Sequence, residues 1–217
     1  MKRVILILTL ATLFLCPRLA AQESEDTAPM WGVRAAFDMN IPGDWHINGS
    51  NVKMYNHGYG GTLGTVCNLY LGRGFYLEPG VSLFYDSYSY SDLSVTDATG
   101  NISAVDPSLY KFGLRVPVVA GYSFGIGRGT MSVFTGPELS VALAGKVRLD
   151  DNEEDFDLSL FGPKGQNRFA LSWKVGIGVP LGSWFVSIDA SLGVTDVYRS
   201  EISFREHRVS VGLTKYF

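Results

Sequence analysis

The sequence feature that most constrains this fold is an alternation of large apolar residues with small or polar ones over residues 169–194. Most positions between the apolar residues carry Gly, Ala, Ser and isolated charges such as Lys174 and Asp189, and the pattern is interrupted at 181–183. Because successive side chains of a β-strand point to opposite faces, a period of two predicts strands. Residues 169–194 are therefore predicted to form a hairpin with one apolar face and one small, polar face.

The same period of two predicts strands along the rest of the chain. The eight predicted strands cover residues 31–38, 59–71, 75–86, 110–124, 131–147, 169–181, 184–194 and 208–217. Their connections alternate in length. Short, glycine-bearing turns lie at 72–74, 125–129 and 181–183, and long, polar segments lie at 39–56, 91–106, 148–167 and 198–206. An antiparallel up-and-down arrangement would place all long loops at one end and both termini at the other.

The composition of the polar face distinguishes a membrane barrel from a soluble β-sandwich. The outward face of a sandwich is wet and rich in Lys, Glu and Thr, whereas here the polar face holds Gly, Ala and Ser with about one charge per strand. Strands that alternate apolar-out and polar-in, with short turns at one end, are typical of outer-membrane barrels, whose closure pairs every backbone amide. We therefore predict an all-β fold: an eight-stranded antiparallel up-and-down transmembrane β-barrel in contact with outer-membrane lipid.

The amino-terminal segment predicts export. Lys2 and Arg3 precede an apolar run over residues 4–15 that is too short to span a bilayer, and small residues follow at 20–21. The predicted organisation is a signal peptide at 1–21, a short disordered lead-in at 22–29 and an outer-membrane β-barrel domain at 30–217. Removing the signal peptide takes away three basic residues and no acidic ones, so the formal net charge of -3 becomes about -6. This acidic balance argues against a nucleic-acid partner.

The small and polar face supplies candidate residues for the barrel interior. These lumen candidates are Arg34, Asp38, Glu78, Asp86, Lys111, Arg115, Glu138, Lys146, Lys174, Asp189 and Arg208. Acidic and basic side chains are nearly balanced, and the lumen of eight strands is just wide enough to be filled by side chains. We expect these charges to pair with one another in a packed lumen, and the alternative is an ion pathway.

Three stretches of the chain carry a family resemblance. They are Leu114-Arg115-Val116-Pro117-Val118-Val119-Ala120-Gly121-Tyr122, Phe134-Thr135-Gly136-Pro137-Glu138-Leu139 and the terminal Lys215-Tyr216-Phe217. With these stretches, residues 30–217 resemble the eight-stranded outer-membrane barrels of Bacteroidota, often called porin-family or PorT-like, which share their architecture with OmpA-like and OmpX-like barrels. Phe217 resembles the carboxy-terminal assembly signal of such barrels, which implies the barrel-assembly machinery as a partner.

The sequence offers no constellation for catalysis or for binding a cofactor or metal. His46, His57 and His207 lie in or beside the long loops, and none stands two residues from a serine on an alternating strand, where a lipid-modifying serine hydrolase would need one. The acidic run at 150–157 lacks the ligand spacing and the glycine of an EF-hand. We therefore predict no enzymatic activity, no cofactor and no metal site.

The long loops are the predicted site of function, because recognition usually resides on loops carried by a rigid scaffold. The loop candidates are Trp45, His46, Tyr55, Asp151, Glu153, Glu154 and Asp155. We predict a structural or surface-interaction protein whose extracellular loops bind a protein or another surface ligand. The alternative is a narrow porin-like channel, or an accessory subunit of a secretion or uptake complex.

Overall fold

The computed structural model describes part of the 217-residue chain. The described residues are 28–43, 45–47, 50–52, 57–89, 93–96, 102–105, 108–149, 156–161, 166–196 and 205–217. In these segments no helix is long and apolar enough to cross a membrane. The predicted signal peptide, and the predicted lead-in up to residue 27, lie outside the described residues.

Eight long strands, numbered here β1 to β8 in chain order, form the main sheet. Their bounds are β1 Met30–Pro42, β2 Gly58–Gly72, β3 Phe75–Ser89, β4 Ser108–Ile126, β5 Gly129–Leu149, β6 Phe169–Leu181, β7 Trp184–Gly193 and β8 Glu206–Tyr216. Each strand pairs antiparallel with the next, and β8 pairs with β1. Because the last strand pairs with the first, the sheet closes on itself. The predicted eight-stranded antiparallel up-and-down barrel is confirmed.

Tight turns join three of the hairpins at one end of the barrel, called here the short-turn end. Arg73 and Gly74 have φ values of 54° and 86°, both positive as a type I′ turn requires. Gly127 and Gly182, with φ of 59° and 63°, occupy the first turn position, where a type II′ turn places glycine. Primed turns match the right-handed twist of paired strands, so these hairpins close within two residues.

The strand ends that the longer connections join lie at the opposite end, called here the loop end, as the sequence predicted. Parts of three of them form short strands. Trp45–Ile47 pairs with Ser50–Val52, Leu93–Thr96 pairs with Ile102–Val105, and Phe156–Ser159 pairs with the end of β5.

The apolar face of the sheet points outward along the barrel wall. Phe37, Leu63, Ile177, Ile188 and Val211 are each at least 50% exposed. A continuous apolar surface of this extent is not stable in water, and it matches the lipid-facing band of a membrane barrel.

A β-bulge in β5 reverses which face its side chains occupy. The register between β4 and β5 shifts at Phe112/Gly113, which leaves Leu143 without an opposite residue. One extra residue in a strand moves every following side chain to the other face. Beyond the bulge Gly145 takes the inward position and Lys146 is exposed. The prediction that Lys146 faces the lumen is therefore wrong.

Inward-facing glycines make room for aromatic rings inside the barrel. A Cβ atom at Gly176 would lie 2.6 Å from a ring carbon of Phe134, and one at Gly178 would lie 2.7 Å from a ring carbon of Phe185. Both distances are shorter than real Cβ contacts. The small residues that alternate along β6 are therefore the spaces into which the rings of β5 and β7 fit.

We expect Gly178→Ala to lower the free energy of unfolding by about 1–3 kcal/mol, because the added methyl group overpacks the lumen beside Phe185. The measurement is a urea titration that follows the folded form by its electrophoretic mobility before and after boiling. Gly125→Ala is the matched control, since a Cβ there meets no atom nearer than 4.0 Å. An equal loss of stability in both variants would show that Gly178 does not accommodate a ring.

Candidate functional site

Eight charged side chains in the lumen form one connected set of ion pairs, called here the lumen network. In the order of their contacts they are Asp86, Arg115, Asp38, Arg208, Glu138, Lys174, Asp189 and Arg34. Acids and bases alternate along the series, so their formal charges cancel. Every member is at most 8% exposed. The network thus neutralises its own charge inside the barrel wall.

Arg115 of β4 joins two carboxylates from other strands. Its Nη1 lies 2.7 Å from Oδ2 of Asp38, and its Nη2 lies 2.6 Å from Oδ2 of Asp86. Nη1 also donates a hydrogen bond of 2.7 Å to the hydroxyl of Thr62, and Cζ lies 4.1 Å from the ring centroid of Phe84. The planar guanidinium suits this position because it can donate to several acceptors at once. Four strands, β1 to β4, therefore meet at this one side chain.

Arg208 of β8 connects this group to the other half of the network. Its Nη2 lies 2.6 Å from Oε1 of Glu138 and donates a 2.9 Å hydrogen bond to Ser191. Its Nε lies 3.7 Å from Oδ1 of Asp38 and donates to the hydroxyl of Ser210. Ser210 in turn donates a 2.6 Å hydrogen bond to Asp38, so the serine relays the contact between the two charges.

The remaining members pair around Asp189 of β7. Its Oδ2 lies 2.5 Å from Nη2 of Arg34, and its Oδ1 lies 2.6 Å from Nζ of Lys174. Lys174 also lies 3.7 Å from Oε2 of Glu138, which completes the series. A buried charge is costly unless it is paired and hydrogen-bonded. Both cations are paired here, and Arg34 also donates a hydrogen bond to Asp189.

An aromatic layer closes the lumen on the short-turn side of the network. Tyr76, Val119, Phe134 and Phe185 form a buried cluster, against which Tyr216 packs. The ring centroids of Phe134 and Phe185 lie 6.4 Å apart at an interplanar angle of 52°. These rings and the lumen network fill successive levels of the barrel.

Lys111 lies nearer the loop end and pairs outside the network. Its ammonium group forms an ion pair with Glu206 and lies 5.2 Å from the ring centroid of Tyr88. The sequence had placed residue 206 in a loop, whereas Glu206 is the first residue of β8. The pairing expected for Lys111 is present, and its partner is a residue that the pattern did not include.

Glu78 departs from the expectation that all lumen charges pair. In the described residues no cation lies within ion-pair distance of its carboxylate, although the residue is only 8% exposed. Its Oε2 accepts hydrogen bonds from Nδ2 of Asn68, at 3.2 Å, and from the hydroxyl of Tyr216. The pairing prediction is therefore wrong for Glu78.

The remaining predicted residues lie largely outside the described part of the chain. Among the loop candidates, Tyr55, Asp151, Glu153, Glu154 and Asp155 are not described, and of Trp45 and His46 only the backbone strand is described. Phe217 is 80% exposed at the short-turn end, and its amide donates a 2.9 Å hydrogen bond to the carbonyl of Trp31. Its role in assembly stays a prediction.

The sequence pattern contained a signal for the aromatic layer that the prediction did not use. Tyr76, Phe134, Phe185 and Tyr216 stand on the small and polar face of their strands. A large aromatic residue on a face otherwise made of Gly and Ser marks an interior layer, because only neighbouring glycines leave space for its ring. Thr62 and Ser210 carry no comparable signal, since isolated hydroxyls occur on the inward face of most strands.

Across the described segments, no three His, Cys, Asp or Glu side chains stand close enough to hold a metal ion. The carboxylates of the lumen network instead contact arginine and lysine side chains. The network as it stands can neutralise charge, fix strand positions and block the lumen.

Comparison with known proteins identifies the family and several similar folds. The family described as "Outer membrane protein beta-barrel domain" matches residues 20–199. No curated protein shows significant similarity to the chain. Among solved structures, Neisserial surface protein A is 12% identical, with 86% of this chain and 97% of that chain covered and a TM-score of 0.49.

Two further solved structures show a similar level of likeness. The attachment invasion locus protein Ail of Yersinia pestis, solved with the heparin analogue sucrose octasulfate, is 11% identical, with 87% of this chain and 99% of that chain covered and a TM-score of 0.44. The outer membrane protein OprG of Pseudomonas aeruginosa is 11% identical, with 88% and 97% covered and a TM-score of 0.45.

Proposed function

The chain belongs to the outer membrane protein β-barrel domain family, and from that premise we propose that it is a structural or surface-interaction protein with a side-chain-filled lumen. Its apolar wall contacts outer-membrane lipid. Its short turns and termini face the periplasm, and its long loops face the cell exterior, as in barrels of this class. A protein or another surface ligand binds at these loops, and the protein has no enzymatic role.

The finer assignments belong to the same proposal. A signal peptide at 1–21 directs export, and the barrel-assembly machinery recognises Phe217. Within the family, the chain belongs to the porin-family or PorT-like barrels of Bacteroidota, an assignment supported by the stretch from Leu114 to Tyr122 and by the terminal Lys215-Tyr216-Phe217.

The observation that carries the proposal is the filling of the lumen at two levels. The lumen network occupies one level with alternating, mutually neutralised charges, and the aromatic layer around Phe134 and Phe185 occupies another. An ion would have to break buried pairs such as that of Arg208 with Glu138 and then displace packed rings. Both steps are unfavourable, so the loops, and not the lumen, are left as the place of function.

We expect no steady conductance from the purified protein in planar lipid bilayers, because buried ion pairs and packed rings fill the lumen at two levels. Insertion is verified by the change in electrophoretic mobility on boiling, and an open sixteen-stranded porin treated in the same way is the positive control. Steady open channels from the unmodified protein would overturn the filled-lumen proposal and favour the narrow-channel alternative.

The loop assignment predicts which insertions are reached from outside the cell. An epitope inserted at residue 153, in the acidic connection, should bind antibody on intact cells, and one inserted at Gly127, in a tight turn, should bind only after the outer membrane is permeabilised. The two insertions serve as each other's control. Labelling of Gly127 on intact cells, with residue 153 protected, would reverse the orientation and remove the basis for surface recognition.

A further inference from the structure

A cavity of about 330 Å³ lies at the short-turn end, below the aromatic layer. Tyr76, Phe185 and Tyr216 line it from above, and Trp184 and Phe217 line it near the turns. Its volume is at the lower end of the range for small-molecule sites, and such sites usually combine an apolar lining with a few polar groups. The cavity is therefore large enough for a small ligand.

Glu78 lies directly behind one wall of this cavity. The two side chains that donate hydrogen bonds to its carboxylate, Asn68 and Tyr216, both line the cavity. Every other buried acid described in the lumen has a basic partner, whereas Glu78 has none. A negative charge that no cation of the described chain compensates thus lies one hydrogen bond away from an open space.

The hydrogen bonds to Glu78 also determine what the wall can offer a ligand. Tyr216 uses its only hydroxyl proton to donate to Glu78, so its oxygen is left to accept. Asn68 donates one N–H to the same carboxylate, and its carbonyl oxygen is likewise an acceptor. Aromatic ring faces attract cations as well. The wall therefore favours a hydrogen-bond donor with positive charge, and the rings favour an apolar body.

We propose that this cavity binds a small primary ammonium ion that carries an apolar or aromatic group and enters from the short-turn end. The ammonium group donates to the Tyr216 hydroxyl oxygen and to the Asn68 carbonyl, and the carboxylate of Glu78 behind them supplies the compensating charge. The apolar group packs against Phe185 and Tyr76. The site is separate from the loop end, so it stands independently of the proposed surface role.

The test is an NMR titration of the ¹⁵N-labelled full chain in lipid nanodiscs with 2-phenylethylammonium as the probe. The neutral control ligand is 2-phenylethanol, which has a similar apolar body and no charge. We expect the ammonium ion to bind at least about tenfold more tightly than the alcohol, because a hydrogen bond to a charged group is stronger than a neutral one. Resonance shifts should be concentrated at Asn68, Ser132 and Tyr216.

Glu78→Gln should weaken binding of the ammonium ion at least about tenfold and leave binding of 2-phenylethanol unchanged. Glu206→Gln makes the same change at the opposite end of the barrel and should alter neither. Equal binding of the two probes by the unmodified protein would overturn the proposal, and so would a Glu78→Gln protein that retains the preference for the ammonium ion. If Glu78→Gln does not fold, two other measurements decide in its place. They are the binding of the two probes to the unmodified chain and the binding of the same probes to Tyr216→Phe.

Discussion

Replacing Arg115 with Met is expected to lower the free energy of unfolding by about 3–5 kcal/mol, which is the usual effect of leaving a buried charge without its partner. Among the described residues, Arg115 is the only base within ion-pair distance of Asp86, and it also forms an ion pair with Asp38. The substitution removes both contacts and leaves Asp86 as an isolated buried carboxylate. A urea titration of the refolded protein, followed by electrophoretic mobility, measures the change.

Two further variants show whether the effect comes from the carboxylate of Asp86, which Arg115→Met leaves without a basic partner. Arg205→Met removes a base from an exposed pair with Asp196, whose atoms lie 3.7 Å apart, and should cost at most about 1 kcal/mol. Adding Asp86→Asn to Arg115→Met removes this unpaired carboxylate and should restore at least half of the lost stability. If Arg115→Met costs no more than Arg205→Met, the carboxylates do not depend on Arg115.

The second large effect is expected at Asp189, where one carboxylate holds two cations. Asp189→Asn should lower the free energy of unfolding by about 3–5 kcal/mol, because Arg34 then has no acidic partner among the described residues and Lys174 is left with Glu138 at 3.7 Å. The same urea titration measures it.

The matched control for Asp189→Asn is the same substitution at the exposed Asp196, which should change stability by at most about 1 kcal/mol. Adding Lys174→Met to Asp189→Asn removes one of the two cations and should recover part of the loss, since fewer like charges then face one another. Equal effects of the two Asp→Asn substitutions would show that the lumen is hydrated enough to solvate the charges of Arg34 and Lys174.

The lumen network also fixes how the strands align. Glycine and serine on the inward face leave the register weakly determined, because small side chains pack equally well after a shift of two residues. Such a shift would move Arg208 along the barrel by about 7 Å and separate it from Glu138. The ion pairs between strands far apart in sequence, such as Arg34 with Asp189, therefore select the observed register.

The strands and the inward direction of most charges could be predicted from sequence, because a period of two fixes side-chain direction wherever a strand is regular. Arg115, Glu138 and Asp189 were found in this way. The pattern could not tell which acid meets which base, because that depends on the closure of the barrel. Arg34 and Asp189, for example, are far apart in the chain and meet only after β7, β8 and β1 pair.

The failures of the pattern have local causes. The prediction for Lys146 was wrong because the bulge at Leu143 adds one residue to β5, so that the following side chains change faces. No residue type at that point is typical of a bulge. Glu78 was expected to pair, but its neighbours in the lumen are Asn68 and Tyr216, which satisfy a carboxylate with hydrogen bonds and without a charge. The period of two alone gives the direction of a side chain, and it does not give the residues that surround that side chain.

In this barrel the apolar residues meet hydrocarbon while charges and rings fill the interior. Nuclear Overhauser effects between the acyl-chain protons of a detergent and the methyl groups of the folded protein test this orientation. We expect strong effects at the outward methyl groups of Ile177, Ile188 and Val211, and none at Val119, which is 4% exposed within the aromatic layer. Effects at Val119 together with no effect at Ile188 would show that the apolar face does not point to the hydrocarbon.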